Sequence, residues 1–220
     1  MRGAGKGYVG LPMEGPIARW YAKNTAQSAA AFQSDARRVA ALLAPHARVL
    51  EVAPGPGYFA IELARLGDFE ITGLDISRTF VEMAARNASA AGVRAEFRLG
   101  NASEMEFEDN RFDFIFCRAA FKNFSEPLRA LEEMYRVLKP QGRVLIVDLR
   151  RDASLEAIRE GVAEMHLGAF SAWLTRQIFR YSLLRRAHTK AEFADFLNHA
   201  PFSSFEIKTE GIGMDVWLGK

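Results

Sequence analysis

The spacing of apolar residues changes near position 46 of the chain. Residues 16–45 carry apolar side chains at intervals of three and four, which predicts a helical run that ends at Pro45. Beyond it, short apolar runs alternate with helical patterns as far as about residue 150. The runs that we predict to be strands are 48–54, 69–76, 94–100, 111–119 and 143–149.

This alternation of strands and helices favours a parallel sheet with helices on both faces. A helical stretch from about 154 to 200 then precedes two strand-like runs, 202–211 and 213–220. The two runs are close enough to form a hairpin. We therefore predict an α/β fold in a single domain over residues 1–220, with an antiparallel hairpin at the end of the sheet.

Composition and charge exclude several classes of protein. The chain has 220 residues, of which 49% are apolar, and a net charge of only +2, so a surface built throughout for nucleic acid is not expected. Cys117 is the only cysteine, which excludes an intramolecular disulfide and a C-x-x-C metal site, and we predict no metal. The first residues lack an apolar signal core, and no apolar run is long enough for a membrane span. We predict a cytoplasmic protein.

Two glycine-rich stretches suggest nucleotide binding. Residues 3–7 lack the earlier glycine and the Ser or Thr of a Walker A motif, so we interpret them as a flexible leader. Residues 55–60, GPGYFA, fit the dinucleotide pattern G-x-G-x-x-G/A, and Asp75 follows as the acidic residue. An NAD enzyme is therefore one hypothesis. The terminal hairpin argues against it, because the second half of a nicotinamide-binding fold repeats the parallel crossover.

A second sequence motif that is typical of hydride-transferring enzymes lies at the end of a predicted helix. Tyr135 and Lys139 fit the Tyr-x-x-x-Lys pair of short-chain dehydrogenases. Lys139, however, directly precedes the helix stop at 140–142 and the next strand. We therefore expect this pair at the amino ends of the strands, on the side of the sheet opposite the ligand crevice.

The candidate chemistry follows the carboxyl ends of the predicted strands. Ligands of open parallel sheets bind at that edge. The residues that we expect to converge there are Ala53 to Gly57, Asp75, Asn101, Arg118 to Phe121, and Asp148 to Arg151.

Five sequence elements, in order, resemble those of class I S-adenosylmethionine-dependent methyltransferases of the small-molecule type. The first lies in EVAPGPG (51–57) and the second in GLDIS (73–77). The third and fourth lie in GNASEMEFEDNRFDFIFC (100–117), and the fifth lies in EMYRVLKPQGRVLIVD (133–148). The resemblance extends from about Val49 to Lys220. It departs from the family pattern at Ala53, where the family has glycine, and at Asn101, where aspartate is usual. It implies a Rossmann-like fold with a seven-stranded sheet, and S-adenosyl-L-methionine as cofactor.

The resemblance also implies which residues contact the cofactor. The absence of Cβ atoms at Gly55 and Gly57 lets the backbone approach the methionine part. Asp75 is expected to accept hydrogen bonds from both ribose hydroxyls, while Ile76 lies against the adenine and Asn101 accepts from the adenine amino group. The remaining predicted cofactor residues are Glu51, Ala53, Ala102 and Arg118. Glu51, buried by its neighbours, needs either backbone N–H groups or the cofactor ammonium as a partner.

The acceptor side of the reaction is less defined by the sequence. The sulfonium is already activated, so alignment of donor and acceptor supplies much of the catalysis and no dedicated base is required. Tyr21, Lys122 and His166 are candidates for a base or a substrate contact. The alternatives are packing beside Trp20 for Tyr21, a solvated loop charge for Lys122, and a polar helix position for His166.

Two segments outside the alternating pattern are predicted to enclose the acceptor. They are an N-terminal lid, residues 1–45, and a helical cap, residues 150–200. The cap has no Asp or Glu between Met165 and Ala191, which favours a small anionic acceptor over an RNA phosphate track. The basic residues between Met165 and Ala191 are Arg176, Arg180, Arg185, Arg186 and Lys190. An RNA-directed methyltransferase and a cofactor-binding protein without catalysis remain alternatives, and the acceptor atom and oligomeric state stay open.

Overall fold

The structure is a computed structural model that describes residues 7–9, 13–26, 29–163, 173, 176–177 and 184–220. A seven-stranded sheet has the order β3-β2-β1-β4-β5-β7-β6. Its strands are β1 (Arg48–Val52), β2 (Glu70–Asp75), β3 (Glu96–Leu99), β4 (Phe112–Arg118), β5 (Leu138–Leu149), β6 (Ser204–Glu210) and β7 (Gly213–Gly219). The described α-helices are α1 (Gly15–Thr25), α2 (Ala29–Ala40), α3 (Tyr58–Ala64), α4 (Arg78–Ala90), α5 (Pro127–Val137), α6 (Leu155–Ala163), α7 (Leu184–Arg186) and α8 (Lys190–Asn198).

The first five strands pair in parallel, and β7 inserts antiparallel between β5 and β6. This confirms the predicted mostly parallel sheet with a terminal hairpin. In β1, four of the five residues are buried, as expected for a central strand covered on both faces. Val52 pairs with Leu74 on one side and Cys117 on the other, so the carboxyl ends of β1, β2 and β4 are aligned.

Helices cover both faces of the sheet and bury a separate apolar cluster on each. On one face, α2 and α3 pack on β1 and β4, where the rings of Phe59 and Phe116 stack with centroids 3.8 Å apart. On the other face, α5 and α8 contribute Met134 and Phe193 to a cluster that includes Cys117. The buried Cys117 thiol has its pKa raised by burial, which fits a core residue rather than a nucleophile.

The N-terminal helical pattern is divided in the structure. The helical pattern predicted over 16–45 corresponds to two helices, since α1 ends at Thr25, α2 spans Ala29–Ala40, and the pattern was predicted to continue to Pro45. Near the end of α1, Asn24 Nδ2 and Thr25 Oγ1 donate hydrogen bonds to backbone carbonyls four residues earlier, both at 2.8 Å. Such side-chain bonds compete with the backbone N–H groups for these carbonyls and are typical of weakened or bent helical turns.

Two other predicted boundaries also differ from the structure. Strand β5 begins at Leu138 rather than at 143, because a register shift against β4 accommodates the turn-forming residues 140–142 within the strand. The predicted helical stretch 154–200 is interrupted at 187–189, where His188 forms a parallel bridge with Arg150. Residues 164–172 of that stretch lie outside the described residues.

The Tyr-x-x-x-Lys pair lies where the sequence predicted it. Lys139 Nζ contacts both carboxylate oxygens of Asp113, at 2.7 and 2.8 Å, near the amino ends of β4 and β5. Tyr135 packs edge-on against Phe202, with ring centroids 5.4 Å apart. Neither side chain reaches the carboxyl edge of the sheet.

Candidate functional site

The carboxyl ends of β1, β2 and β3 lie side by side at the edge of the sheet where the sequence predicts one side of a ligand crevice. These strands are neighbours in the sheet, so the loop after β1, Asp75 at the end of β2 and Asn101 after β3 come together. The ends of β4 and β5 form the other side, with Lys122 and Asp148. This confirms the predicted convergence of strand ends on one edge.

Asp75 is a buried carboxylate held by backbone N–H groups. Its Oδ2 accepts from Gly55 N at 3.0 Å, and its Oδ1 accepts from Ser77 N at 2.8 Å. Burial raises its pKa to about 6, and the two backbone donors only partly offset that effect. Two carboxylate oxygens offer about four acceptor positions, and the backbone donors occupy only part of them.

Glu51 is the second buried carboxylate of the crevice. Its Oε2 accepts from Ala60 N at 3.1 Å, which satisfies one of the free N–H groups in the first turn of α3. Burial raises its pKa well above the ordinary value, and the charge of Asp75 raises it further. Of the two partners that the sequence left open, the structure provides the backbone N–H.

The loop after β1 uses left-handed backbone at three of its residues. Ala53 has φ +56°, Gly55 +53° and Gly57 +79°. A Cβ built on Gly55 would meet nothing within 4 Å, whereas one on Gly57 would lie 2.9 Å from Ala84 Cβ and 3.1 Å from Phe97. The space beside Gly55 therefore suits a ligand, while Gly57 is required by the packing of α3 against α4 and β3.

The N-terminal residues cover the predicted adenine side of the crevice. A Cβ on Gly7 would lie 2.5 Å from Asn101 Oδ1 and 2.8 Å from Ile76 Cδ1, so a larger residue there would displace these two side chains. Asn101 Oδ1 itself accepts from Ser103 N at 3.0 Å, and Ala102 packs at the edge of the apolar core. The predicted contacts of Ile76, Asn101 and Ala102 with adenine remain predictions.

Backbone pairing fixes this N-terminal segment to the loop after β4. Val9 N donates to Asn123 O at 2.8 Å, and Tyr8 and Phe124 form an antiparallel bridge. Burial raises the pKa of the Tyr8 phenol, and the nearby Arg186 guanidinium opposes that rise. No sequence pattern indicates a role for Tyr8, because its position depends on contacts between residues distant along the chain.

Arg118 differs from the other predicted cofactor residues, because its guanidinium is engaged away from the glycine loop. It forms an ion pair with Asp35 of α2 and lies over the Phe32 ring, 5.5 Å from its centroid. Asp35 is buried, and burial raises its pKa against the effect of Arg118. The structure thus brings Arg118 to α2, and its contact with the cofactor stays a prediction.

Lys122 and Asp148 form a buried ion pair at the ends of β4 and β5. Lys122 Nζ lies 2.8 Å from Asp148 Oδ1 and 2.5 Å from Ala119 O, and the two side chains are 9% and 2% exposed. Asp148 also accepts from Lys122 N and Leu149 N. The alternative that Lys122 is a solvated loop charge was wrong. The spacing of apolar residues along the sequence does not indicate an ion pair between side chains of two distant segments.

The other acceptor-side candidates lie in different surroundings. Tyr21 is half-buried and packs edge-on against Phe80, with centroids 5.8 Å apart, while Trp20 beside it is 68% exposed. His166 lies outside the described residues. His188, which was not predicted as a site residue, lies at the end of β5 because it forms a bridge with Arg150.

Neither a metal-binding cluster nor a membrane-spanning helix is found in the described part of the chain. Within it, no group of three or more His, Cys, Asp or Glu side chains is arranged to hold a metal ion. None of its helices is long and apolar enough to cross a membrane.

Comparison with known proteins agrees with this fold and crevice. Residues 50–146 match the family described as "Methyltransferase domain". The chain is 38% identical over 108 residues to demethylmenaquinone methyltransferase of Deinococcus radiodurans, covering 49% of this chain and 45% of that protein. It is also 38% identical over 102 residues to an uncharacterized methyltransferase of Bacillus subtilis, covering 46% of this chain and 40% of that protein. The chain therefore spans less than half the length of these relatives.

Solved structures share the fold over a longer part of the chain. A SAM-dependent methyltransferase from Aquifex aeolicus matches 84% of this chain and 89% of its own with a TM-score of 0.66 at 21% identity. The plantazolicin methyltransferase BpumL, solved with SAH and a desmethylplantazolicin analog, matches 92% and 89% with a TM-score of 0.70 at 17% identity. At such identities these likenesses establish the fold.

The sheet order agrees with the methyltransferase fold of the solved structures. Residues 50–146, which are less than half of the chain, match the methyltransferase domain family, and the curated relatives matched over this part are named methyltransferases. The motif segments lie almost wholly within the matched part, which agrees with the resemblance that they carry.

Proposed function

We propose that this chain transfers a methyl group from S-adenosyl-L-methionine to a small molecule by in-line displacement, releasing S-adenosyl-L-homocysteine. The observation that carries the proposal is the division of one crevice into two ends. The space beside Gly55 and the unused acceptor positions of Asp75 suit the cofactor. Lys122 and Asp148 lie farther along the same edge of the sheet, at the ends of β4 and β5, where an acceptor would meet the methyl group.

The proposed cofactor site uses residues at the ends of β1, β2 and β3. Asp75 holds the ribose, Gly55 and Ala53 approach the methionine part by backbone, and Glu51 and Gly57 keep the loop and α3 in place. Ile76, Asn101 and Ala102 form the adenine side. Arg118 is assigned an indirect part, because its pairing with Asp35 ties β4 to α2 beside this loop.

The proposed acceptor site lies between the N-terminal lid, residues 1–45, and the cap, residues 150–200. Support for the lid is the position of Gly7 against Asn101 and Ile76, together with the bond from Ser77 Oγ to Met13 O at 2.6 Å. Tyr21 and His166 are the candidates that these two segments contribute, beside Lys122 from the loop after β4.

The acceptor that we propose is a small anionic or aromatic molecule. Several curated relatives are named demethylmenaquinone methyltransferases, which supports an aromatic acceptor. The exposed Arg185 and Arg186 support a negative group on it, and no ion pair of either side chain is found among the described residues. A cytoplasmic location is proposed with it, because the single free Cys117 suits a reducing compartment.

The test is cofactor binding and turnover by the purified chain. We expect calorimetry to detect binding of S-adenosylhomocysteine and none of NAD, and an acceptor panel to yield S-adenosylhomocysteine with at least one small molecule. Binding without turnover on any acceptor would leave a cofactor-binding protein without catalysis. Sub-micromolar RNA binding at ~200 mM salt, lost in the Arg185→Ala, Arg186→Ala double variant, would favour an RNA substrate.

A further inference from the structure

The carboxylate of Glu14 joins the start of α1 to the start of α4. Its Oε1 accepts from Arg78 N at 2.9 Å, 64 positions later in the chain, and its Oε2 accepts from Thr79 N at 3.1 Å. Thr79 Oγ1 also donates to Oε2 and accepts from Gly15 N at 3.0 Å. A side chain that precedes one helix therefore satisfies N–H groups in the first turn of another helix.

Glu14 does not use its carboxylate for its own helix. It is the N-cap residue of α1, with φ −122° and ψ 157°, yet its side chain makes no capping hydrogen bond to α1. Burial raises the pKa of Glu14, but the hydrogen bonds from Thr79, Arg78 and Ser77 outweigh it, so that the pKa lies below its ordinary value. The carboxylate is therefore an anion near pH 7, which suits the positive end of α4.

The N-terminal residues are fastened on both sides of the proposed cofactor position. On one side, Glu14 binds the start of α4, which follows shortly after Asp75 at the end of β2. On the other side, Gly7 O accepts from Ser125 N at 3.3 Å in the segment after β4. Strand β1, with the glycine loop at its end, lies between β2 and β4 in the sheet. The two attachments therefore flank the loop that is proposed to approach the methionine part of the cofactor.

Helix α1 has only a small apolar contact with the rest of the protein. Its buried residues are Ala18 and Ala22, which have one methyl group each. Tyr21 adds a half-buried ring, and Trp20 is 68% exposed. The bonds of Glu14 are thus a substantial part of what holds α1 against α4. Because Glu14 is exposed, these bonds can break without leaving a buried charge.

We propose that Glu14 is a gating residue, whose contact with the start of α4 keeps the N-terminal lid closed and whose release lets the cofactor enter and its product leave. The inference rests on the proposed function and assigns the control of its cofactor exchange. All partners of the Glu14 carboxylate are protein groups, so the contact stabilises the closed lid equally with and without cofactor. Its loss should therefore change the rates of exchange rather than the affinity.

The experiment measures both rate constants for S-adenosylhomocysteine on the immobilised full-length chain by surface plasmon resonance. Glu14→Ala and Glu14→Gln are compared with Glu82→Gln, an exposed carboxylate of the same helix α4 that lies 3.8 Å from Arg86. In Glu14→Ala, association and dissociation should both become about tenfold faster, with Kd within about twofold of wild type. Glu14→Gln should have a smaller effect, since its amide oxygen still accepts one N–H group. Glu82→Gln should behave as wild type.

Hydrogen exchange shows where the protein opens. In Glu14→Ala, amides of residues 15–25 and 78–80 should exchange faster than in wild type, while those of β1 and β2 should not change.

Three results would overturn the inference and leave the proposed function standing. They are rate constants within about twofold of wild type in Glu14→Ala, a Kd at least about tenfold weaker with unchanged association, and faster exchange in β1 and β2 as well. The second would make Glu14 a determinant of affinity, and the third would make it a structural residue. Failure of the wild-type protein to bind S-adenosylhomocysteine would instead overturn the proposed function.

Discussion

The two ends of the crevice are held together by different kinds of interaction. At the cofactor end, the buried carboxylates of Glu51 and Asp75 accept hydrogen bonds from backbone N–H groups of the same loop region. At the acceptor end, Asp148 pairs with the ammonium of Lys122 across two strands, and aromatic rings surround His188. The cofactor end is therefore built from local backbone geometry, and the acceptor end from contacts between distant side chains.

The largest expected effect concerns the ion pair of the acceptor end. Lys122→Met removes the cation beside a carboxylate that is 2% exposed, and an unpaired buried charge costs about 3 kcal/mol or more. We expect the free energy of unfolding, measured in urea, to fall by roughly that amount.

Two further variants show whether the pairing itself is responsible. Lys122→Met with Asp148→Asn should recover most of the loss, because no buried charge remains. Lys208→Met, which removes an exposed pair with Glu206, should leave the unfolding curve nearly unchanged. Equal small losses for Lys122→Met and Lys208→Met would mean that the acceptor end does not depend on this pair.

The next largest effect concerns cofactor affinity. Asp75→Ala removes the carboxylate proposed to hold the ribose, and charge-assisted hydrogen bonds contribute ~1.5–3 kcal/mol each. We expect the Kd for S-adenosylhomocysteine, measured by calorimetry, to rise at least tenfold. Asp68→Ala is the surface control, since that side chain is 83% exposed. A folded Asp75→Ala protein with unchanged Kd would assign the ribose to another residue.

The pKa of Asp75 gives a pH dependence that the acceptor end should not share. Burial raises this pKa to about 6 in the free protein, whereas hydroxyl donors of a bound ribose favour the anion. Cofactor binding should therefore release a proton below about pH 6, and affinity should weaken by about tenfold per pH unit there. Calorimetry in buffers of different ionisation enthalpy measures the proton, and the same slope in Asp75→Asn would refute the assignment.

Backbone strain is the smallest effect, and here the two ends are expected to behave alike. Ala53 at the cofactor end has φ +56°, and Ala119 after β4 has φ +55°. Glycine adopts this conformation without the Cβ penalty. Ala53→Gly and Ala119→Gly should each raise the free energy of unfolding by about 0.5–1 kcal/mol in urea titrations. A loss of stability in either variant would show that the alanine methyl group is needed for packing.

The sequence predicted most of the fold because local patterns determine it. The apolar runs identified all seven strands, and the terminal hairpin distinguished this sheet from a nicotinamide-binding one. The errors lie where side chains or register act across the chain. The break after Thr25 and the early start of β5 at Leu138 have no signature in apolar spacing alone.

The site residues also divide into those that local sequence patterns predict and those that depend on distant contacts. Asp75, Gly55 and Asn101 follow from strand ends and motifs, so the sequence located them without a structure. The pairing of Lys122 with Asp148, the position of Tyr8 and the place of His188 depend on contacts between segments far apart in the chain. The pairing of Arg118 with Asp35 also depends on a helix that the motif does not include, and the predicted contact of Arg118 with the cofactor stays a prediction.

A crystal structure with bound S-adenosylhomocysteine tests the central claim most directly. The account predicts both ribose hydroxyls within ~3.2 Å of the Asp75 carboxylate, the methionine part beside Gly55, and the sulfur directed toward the ends of β4 and β5. Adenosine bound away from Asp75, or a sulfur directed away from Lys122 and His188, would contradict the division of the crevice into a cofactor end and an acceptor end.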